Sequence, residues 1–316
     1  MLLRGRAALM VAPAPLVPRR PSHARTVDQF LTAATQRPAS LVVDGEACIG
    51  KTTFWLDALA QARERGFLLL VAQTAAAESE LAYAGLADLL GSIELPIPEL
   101  PGPQQRALTA VLSHTDGGDH GSDHGSDWRV LAEAFLTVIE RLGEQAPVLI
   151  AIDDLQWLDM PSRRVLGYAA RRLVSRVGVL ATVPADAAPT GRGSSLKLSR
   201  PDAMRRITVL PMSLSGLHEL FLRRLQRSFT RPAMARIHEL SGGNPYYALE
   251  LARQFDGHMA DAAPRLPDSI VHGVRNRLDR LSPRVREVLL AAACARSPTV
   301  GVLAVVTREV VNGVPA

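Results

Sequence analysis

The stretch LVVDGEACIGKTT, residues 41–53, decides the fold of this 316-residue chain. An apolar run enters a turn bounded by Gly45 and Gly50, and a lysine follows at once. Lys51 is one of only two lysines among 36 basic residues, so a general abundance of lysine does not explain its place here. A strand, a glycine-rich turn and a helix in direct succession are typical of a parallel α/β fold.

Residues 45–52 fit the pattern G-x-x-x-x-G-K-[ST], whose chemistry suits a chain of phosphates. Glycines let the backbone curl until N–H groups face inward, and the following helix N-terminus adds partial positive charge. A compact ammonium reaches between terminal phosphates where a planar guanidinium fits poorly, and a threonine hydroxyl can ligate Mg²⁺. The alternative is a glycine turn with an incidental lysine. The expected nucleotide contacts are Gly45, Glu46, Ala47, Cys48, Ile49, Gly50, Lys51, Thr52 and Thr53.

The first 210 residues alternate between apolar runs and helical patterns. Together with the G-x-x-x-x-G-K-[ST] pattern, this alternation predicts a P-loop NTPase three-layer sandwich, in which helices cover both faces of a parallel five-stranded sheet. We place that domain at 25–210, with a flexible insertion at about 92–127, after a Pro- and Arg-rich leader at 1–24 that we expect to be poorly ordered. The predicted strands are 39–43, 67–72, 147–154, 177–183 and 207–210.

Two acids close the third of these runs, LIAIDD. Asp153 at the end of a buried strand can ligate Mg²⁺, and Asp154 can orient or deprotonate an attacking water. Ligands of parallel α/β sheets bind at this end of the strands. The alternative role for either acid is to cap the following helix.

The periodicity changes after Pro211. Amphipathic helical patterns predict a small helical lid domain at 211–285, and residues 286–316 resemble the start of a winged helix that the chain does not complete. A loop with the sequence DHGSDHGSD carries His120 and His124. These histidines could help to gather a metal, but a solvated loop is the favoured interpretation, because no rigid element holds them.

Composition argues against nucleic-acid-binding, disulfide-rich and membrane-spanning classes of protein. The net charge of +5 comes without a dense basic run that would mark a nucleic-acid site. Two cysteines provide no disulfide framework, and no apolar run approaches the length of a membrane span. We therefore expect a cytoplasmic protein that does not contact membranes.

Three motifs in order resemble those of the signal-transducing ATPases with numerous domains (STAND), relatives of the AAA+ ATPases. The nearest group is the ATPase part of large LuxR-type bacterial transcriptional regulators. The segments are GEACIGKTT, DDLQWLDMPS at 153–162 and SGGNPYYALELAR at 241–253. The resemblance implies Mg·ATP or ADP as ligand, with Pro245 against the adenine. It also implies nucleotide-governed self-association or contact with a regulatory partner. The chain then resembles a truncated or standalone module that does not bind DNA alone.

Several positions depart from that family. Glycine is usual where Cys48 stands, and an arginine that senses the γ-phosphate is usual where Val183 and Pro184 stand. Arg192 lies eight residues further on and substitutes poorly. Asp154 also reaches less far than the glutamate of fast AAA+ enzymes. Three hypotheses follow: a slowly hydrolysing ATP switch, a hydrolysis-deficient nucleotide-binding scaffold, and part of a DNA-binding regulator.

Two further residue assignments stay open at this stage. Cys48 lies near a helix N-terminus and a lysine, so we expect a reactive thiol that bound ATP protects. The competing interpretation is a small buried side chain. Gln156 and Asp159 receive no distinct role, and Trp157 is expected to pack.

Overall fold

The computed structural model of the chain describes residues 21–93, 100–113, 127–185, 204–254, 271, 274–275, 278–279, 281–295 and 299–300. The strands are β1 (Ala39–Gly45), β2 (Leu68–Gln73), β3 (Val148–Asp153), β4 (Val177–Pro184) and β5 (Met204–Thr208). The α-helices are α1 (Pro21–Ala34), α2 (Lys51–Glu64), α3 (Ala84–Gly91), α4 (Gly102–Ser113), α5 (Asp127–Gln145), α6 (Met160–Ala170), α7 (Leu214–Leu225), α8 (Arg231–Ser241), α9 (Pro245–Gln254) and α10 (Pro283–Cys294).

The five strands form one parallel sheet in the order β2–β3–β4–β1–β5. On one face, α1 and α2 pack Phe30 and Trp55 against Leu41 and Val43 of β1. Helices α3 to α6 form a second core on the opposite face. Strand β3 is buried along its whole length, as expected for a central strand with helices on both sides. The predicted three-layer α/β fold is confirmed.

The strand register brings the functional segments to one edge of the sheet. Gly45 at the end of β1 pairs with Pro184 of β4, and Asp44 pairs with Thr208 of β5. Asp153 at the end of β3 pairs with Gln73 of β2. Because the strands are parallel, the segments that follow β1, β3 and β4 leave the sheet on the same side.

The N-terminal helix begins earlier than the predicted leader allows. The sequence predicts poor order through residue 24, whereas α1 begins at Pro21. Proline fits the first turn of a helix because an N–H there has no helical partner. The burial of Phe30 and Leu31 further along α1 stabilises the helix as a whole. Residues 1–20 lie outside the described residues.

The predicted insertion at about 92–127 contains a regular element, so its description as flexible is wrong over α4. Leu108 is fully buried and Val111 nearly so, and both join the core beneath α3 to α6. Prolines and glycines on both sides of α4 dominate the local composition and conceal this helical spacing. His120 and His124 of the histidine-bearing loop lie outside the described residues.

Helices α7 to α9, which we call the helical region, enclose a third core. Its buried side chains include Leu217, Phe221, Ile237 and Leu251. The predicted boundary between residues 285 and 286 lies inside α10, because Ser282 caps that helix and Pro283 begins it. In the described parts of the chain, no helix combines the length and the apolarity that a membrane span requires.

Candidate functional site

The loop at residues 45–52 leaves the sheet at the end of β1 and enters α2. Gly45 has φ 153°, and an added Cβ would lie only 2.9 Å from Ile49 Cγ2 and 3.0 Å from the Val209 carbonyl oxygen. Glycine is therefore required on grounds of both conformation and space. Ile49 is buried and anchors the loop, whereas Glu46, Ala47 and Cys48 are exposed. The middle of the 45–52 loop is thus open to a ligand.

Lys51 lies within the curl of this loop. Its residue exposure is only 9 %, and Nζ donates to the carbonyl oxygens of Gly45 at 3.0 Å and Glu46 at 2.9 Å. An ammonium group has three N–H donors, so a third remains available to an anion beside the loop. The first turn of α2 places its partial positive charge at the same point.

A threonine that the sequence analysis did not select joins the two acids at the end of β3. Thr182 Oγ1 donates to Asp153 Oδ1 at 2.5 Å and accepts from the backbone N–H of Asp154 at 2.7 Å. It is fully buried near the end of β4. The only sequence signal for Thr182 is that its hydroxyl interrupts the otherwise apolar run VGVLATV. The sequence does not show that β3 lies beside β4, so it does not predict the contact with Asp153.

Asp153 also contacts the 45–52 loop. The Thr52 side chain lies near enough to its carboxyl group for hydrogen bonding to lower the pKa of Asp153, so α2 and β3 meet at this point. Burial raises the pKa of Asp153 above its ordinary value, and the hydrogen bonds from Thr182 and Thr52 oppose that rise. The structure thus places Thr52, the neighbour of Lys51 in the chain, near Asp153.

Asp154 is held differently from its neighbour. Its backbone is left-handed, with φ 56°, and its carboxylate Oδ1 accepts from Gln156 Nε2 at 3.0 Å. Thr74 Oγ1 donates to the backbone oxygens of both acids, at 2.9 Å for Asp153 and 2.7 Å for Asp154. Gln156 therefore has a role that its sequence position did not reveal: it orients the Asp154 carboxylate. Trp157 is half-buried.

The helical region contacts the 45–52 loop through the turn between α8 and α9. Asn244, immediately before α9, donates from Nδ2 to the Ala47 carbonyl oxygen at 3.1 Å. Pro245 follows it as the first residue of α9 and is buried. The segment predicted to lie beside the base therefore contacts the loop predicted to bind the phosphates.

Comparison with known proteins assigns this arrangement to a family. The sequence profile of the AAA ATPase domain matches residues 16–181, slightly more than half of the chain. The chain belongs to the AAA ATPase domain family. The match extends from the N-terminal segment into β4, so it includes the 45–52 loop and both acids of this AAA domain. A search among curated proteins found no match.

Solved structures share the fold at low sequence identity. The Walker-type ATPase PABY2304 of Pyrococcus abyssi has a TM-score of 0.60 at 16 % identity, over 94 % of this chain and 84 % of that chain. A STAND protein with a tetratricopeptide repeat sensor from Pyrococcus horikoshii gives 0.43 at 14 % identity, over 91 % and 37 %. Cdc6p from Pyrobaculum aerophilum gives 0.48 at 12 % identity, over 94 % and 82 %. At 16 % identity, the similarity to PABY2304 shows a shared fold alone, and the chemistry of the AAA domain depends on its own residues.

The Asp153 carboxylate and the Thr52 hydroxyl are suitable ligands for a magnesium ion. Mg²⁺ prefers oxygen ligands and is bound by few protein groups alongside substrate phosphates. The adjoining side chains of Thr52 and Asp153 offer a hydroxyl and a buried carboxylate, and a divalent cation would offset the energetic cost of burying that negative charge. Elsewhere, the described residues contain no group of three or more His, Cys, Asp or Glu side chains suited to a metal.

Asp159 has a structural role that sequence reasoning missed. Its carboxylate caps α6 by accepting from the Ser162 N–H at 2.8 Å. It also accepts from the N–H groups of Tyr83, at 2.9 Å, and Gly85, at 3.1 Å, at the start of α3. One buried carboxylate therefore joins the N-termini of two helices in the AAA domain.

The positions at which the sequence differs from the STAND pattern have different structural consequences. Val183 is buried in the core beneath α3 to α6, and Pro184 ends β4 beside Gly45. Neither side chain supplies a positive charge at this edge of the sheet. Cys48 is exposed and left-handed, with φ 61°, so its interpretation as a small buried side chain is wrong. Arg192 lies outside the described residues.

Proposed function

We propose that this AAA domain binds Mg·ATP or ADP and acts as a nucleotide-dependent regulatory switch that hydrolyses ATP slowly. The observation that carries the proposal is the approach of the Thr52 side chain to the buried Asp153 carboxylate. Lys51, the neighbour of Thr52 in the chain, places a positive charge within the curl of the 45–52 loop at the N-terminus of α2. Such a set suits a polyphosphate accompanied by a divalent cation.

Each predicted residue then has a role. Backbone amides of the 45–52 loop bind the phosphates, and Lys51 places its charge between the terminal pair. Thr52 and Asp153 hold the magnesium ion, which supplies charge neutralisation on the phosphate oxygens. Asp154 orients the attacking water. Thr53 lies in the first turn of α2 at the same end of the loop, and Pro245 lies on the side of the adenine.

The second candidate function is a hydrolysis-deficient nucleotide-binding scaffold. Two observations favour it. Gln156 already engages the Asp154 carboxylate, and no arginine stands at Val183 or Pro184 to stabilise negative charge developing on the γ-phosphate. Both features reduce the rate of hydrolysis and leave the 45–52 loop intact as a binding element.

Binding and turnover can be separated with one substitution. Asp154→Asn keeps the shape of the side chain and removes its basicity, so we expect the affinity for Mg·ATP to change less than about threefold. Phosphate release should fall by about 100-fold, the range typical of a lost general base. Nucleotide titration followed by a phosphate-release assay measures both quantities. A parent protein that binds ATP without releasing phosphate above background would select the scaffold.

Cys48 offers a direct test of where the nucleotide binds. Its exposed thiol lies in the middle of the 45–52 loop. In a Cys294→Ser background, saturating Mg·ATP should slow alkylation of Cys48 at least about tenfold, because bound phosphates occupy the space over the loop. Mass spectrometry of the labelled peptide measures the rate. Equal rates with and without nucleotide would contradict this placement.

The regulatory context belongs to the same proposal. The resemblance to the ATPase part of LuxR-type regulators supports a cytoplasmic module in transcription regulation, whose nucleotide state governs self-association or contact with a regulatory protein. On this proposal the chain neither binds DNA by itself nor contacts a membrane. A change in sedimentation when ATP is added would support the switch. A salt-dependent shift of DNA in a gel would instead favour the DNA-binding alternative.

A further inference from the structure

Asn244 connects the helical region to the 45–52 loop across 197 residues of sequence. The residue is only 3 % exposed, and both halves of its side-chain amide are in use. Nδ2 donates to the Ala47 carbonyl oxygen at 3.1 Å, and Oδ1 accepts from the Tyr246 N–H at 3.2 Å in the first turn of α9. A helix cap would need only the oxygen, so the contact with the loop is a second and separate use of this side chain.

The turn that carries Asn244 is fixed by its own packing. Gly243 has φ 74°, and an added Cβ would lie 2.5 Å from the Met212 carbonyl oxygen. The Met212 N–H donates to the Gly243 carbonyl oxygen at 2.8 Å, and His238 Nε2 lies 3.1 Å from the Met212 oxygen. The Asn244 N–H donates to the Ser241 carbonyl oxygen at 3.0 Å. The helical region therefore presents the amide of Asn244 to the loop from a rigid position.

The contact determines the direction of a backbone N–H in the 45–52 loop. In a trans peptide the carbonyl oxygen and the next N–H point in opposite directions. When Asn244 binds the Ala47 carbonyl, the Cys48 N–H must point away from the helical region. Cys48 is left-handed, with φ 61°, and a left-handed residue within such a turn is typical of backbone concavities that bind anions.

We propose that Asn244 is a positioning residue that couples the helical region to nucleotide binding, by holding the peptide between Ala47 and Cys48 so that its N–H faces the phosphates. This inference rests on the proposed binding of Mg·ATP. Coupling between two sites is reciprocal. A nucleotide that favours this orientation of the peptide therefore strengthens the docking of α9, and the Asn244 side chain transmits nucleotide occupancy to the helical region.

Asn244→Asp tests the coupling with little change of shape. Aspartate still caps α9, but it replaces the N–H donor with an oxygen that repels the Ala47 carbonyl. We expect the Kd for Mg·ATP to rise about tenfold, as for the loss of one well-placed hydrogen bond. Calorimetric titration of the full chain measures it. Thr230→Ala is the matched control, because it removes the cap of α8 without touching the loop, and its Kd should stay within about twofold of the parent value.

Hydrogen exchange provides a readout without nucleotide. In the nucleotide-free protein, amides of residues 46–50 should exchange faster in Asn244→Asp than in the parent and in Thr230→Ala, because the peptide has lost its anchor. In the parent, Mg·ATP should slow exchange at residues 245–254, and Asn244→Asp should lose this protection. Parent-like exchange at 46–50 together with a parent-like Kd in Asn244→Asp would overturn the coupling. A parent that shows no nucleotide binding would overturn the proposed function instead, whatever the exchange rates.

Discussion

Lys51→Ala is expected to weaken the binding of Mg·ATP by at least about 100-fold. The Lys51 ammonium is held within the 45–52 loop, where it donates to the carbonyl oxygens of Gly45 and Glu46. The remaining N–H of this group can give a bound triphosphate one charge-assisted hydrogen bond, which stabilises by about 1.5–3 kcal/mol. The substitution also removes the attraction between the ammonium and the other phosphate charges, so we expect the decrease in affinity to exceed the loss of the bond alone. Titration of the purified protein with Mg·ATP, followed by calorimetry, measures the effect.

The chain supplies a close control for this experiment. Lys197 is the only other lysine in the sequence, and Lys197→Ala should leave the Kd unchanged. Lys51→Arg retains the charge but replaces a compact ammonium with a planar guanidinium, so it should bind nucleotide far less tightly than the parent. Parent-like affinity in Lys51→Ala would remove the basis of the proposed function. The melting temperature without nucleotide should change little, because the Gly45 carbonyl oxygen keeps its hydrogen bond from the Ala185 N–H and the exposed Glu46 can be hydrated.

Asp159→Ala is expected to cause the largest loss of stability. Asp159 is only 3 % exposed, and its carboxylate accepts from three backbone N–H groups, those of Tyr83, Gly85 and Ser162. Removing it leaves these donors without their partner at the start of two helices. We expect the free energy of unfolding to fall by about 3–5 kcal/mol, because each buried N–H left unsatisfied costs about 1–3 kcal/mol. Thermal unfolding should show a decrease in Tm of about 10 °C.

A series of substitutions distinguishes the role of Asp159 from that of an ordinary helix cap. Asp159→Asn keeps one carbonyl oxygen, which accepts from two of the three donors, so its loss should be intermediate. Ser213→Ala removes an exposed cap whose Oγ accepts from one backbone N–H, that of Gly216, and also lies 3.0 Å from Ser215 Oγ; it should cost about 1 kcal/mol. A loss in Asp159→Ala no larger than that of Ser213→Ala would show that the contacts to α3 contribute nothing. Nucleotide affinity below the melting range should stay close to that of the parent.

Together, the two substitutions test whether binding and stability reside in different parts of the AAA domain. In the proposed function Lys51 binds a ligand at the edge of the sheet, whereas Asp159 connects the helices that follow β2 and β3. Lys51→Ala should therefore lower affinity while preserving Tm, and Asp159→Ala should do the reverse. Measuring both affinity and Tm also identifies a variant that loses binding only because it unfolds.

The sequence by itself determined the features that depend on neighbours along the chain. The pattern from Gly45 to Thr52 predicts a phosphate-binding loop because its geometry needs glycine, lysine and threonine at fixed spacing. The apolar run before Asp153 predicts a strand buried on both faces, and the structure confirms it. Local composition was misleading at α4, where flanking prolines and glycines concealed a helix whose Leu108 is fully buried.

The tertiary structure alone decided which distant residues meet. Thr182 reaches Asp153 because β4 lies beside β3, and Asn244 reaches Ala47 because the helical region folds back over the 45–52 loop. Asp159 joins α6 to the start of α3 across 74 and 76 residues of sequence. Periodicity along a chain specifies which faces are buried, but not which faces meet. That second choice depends on strand order and on the packing of whole helices, and a single sequence does not state either.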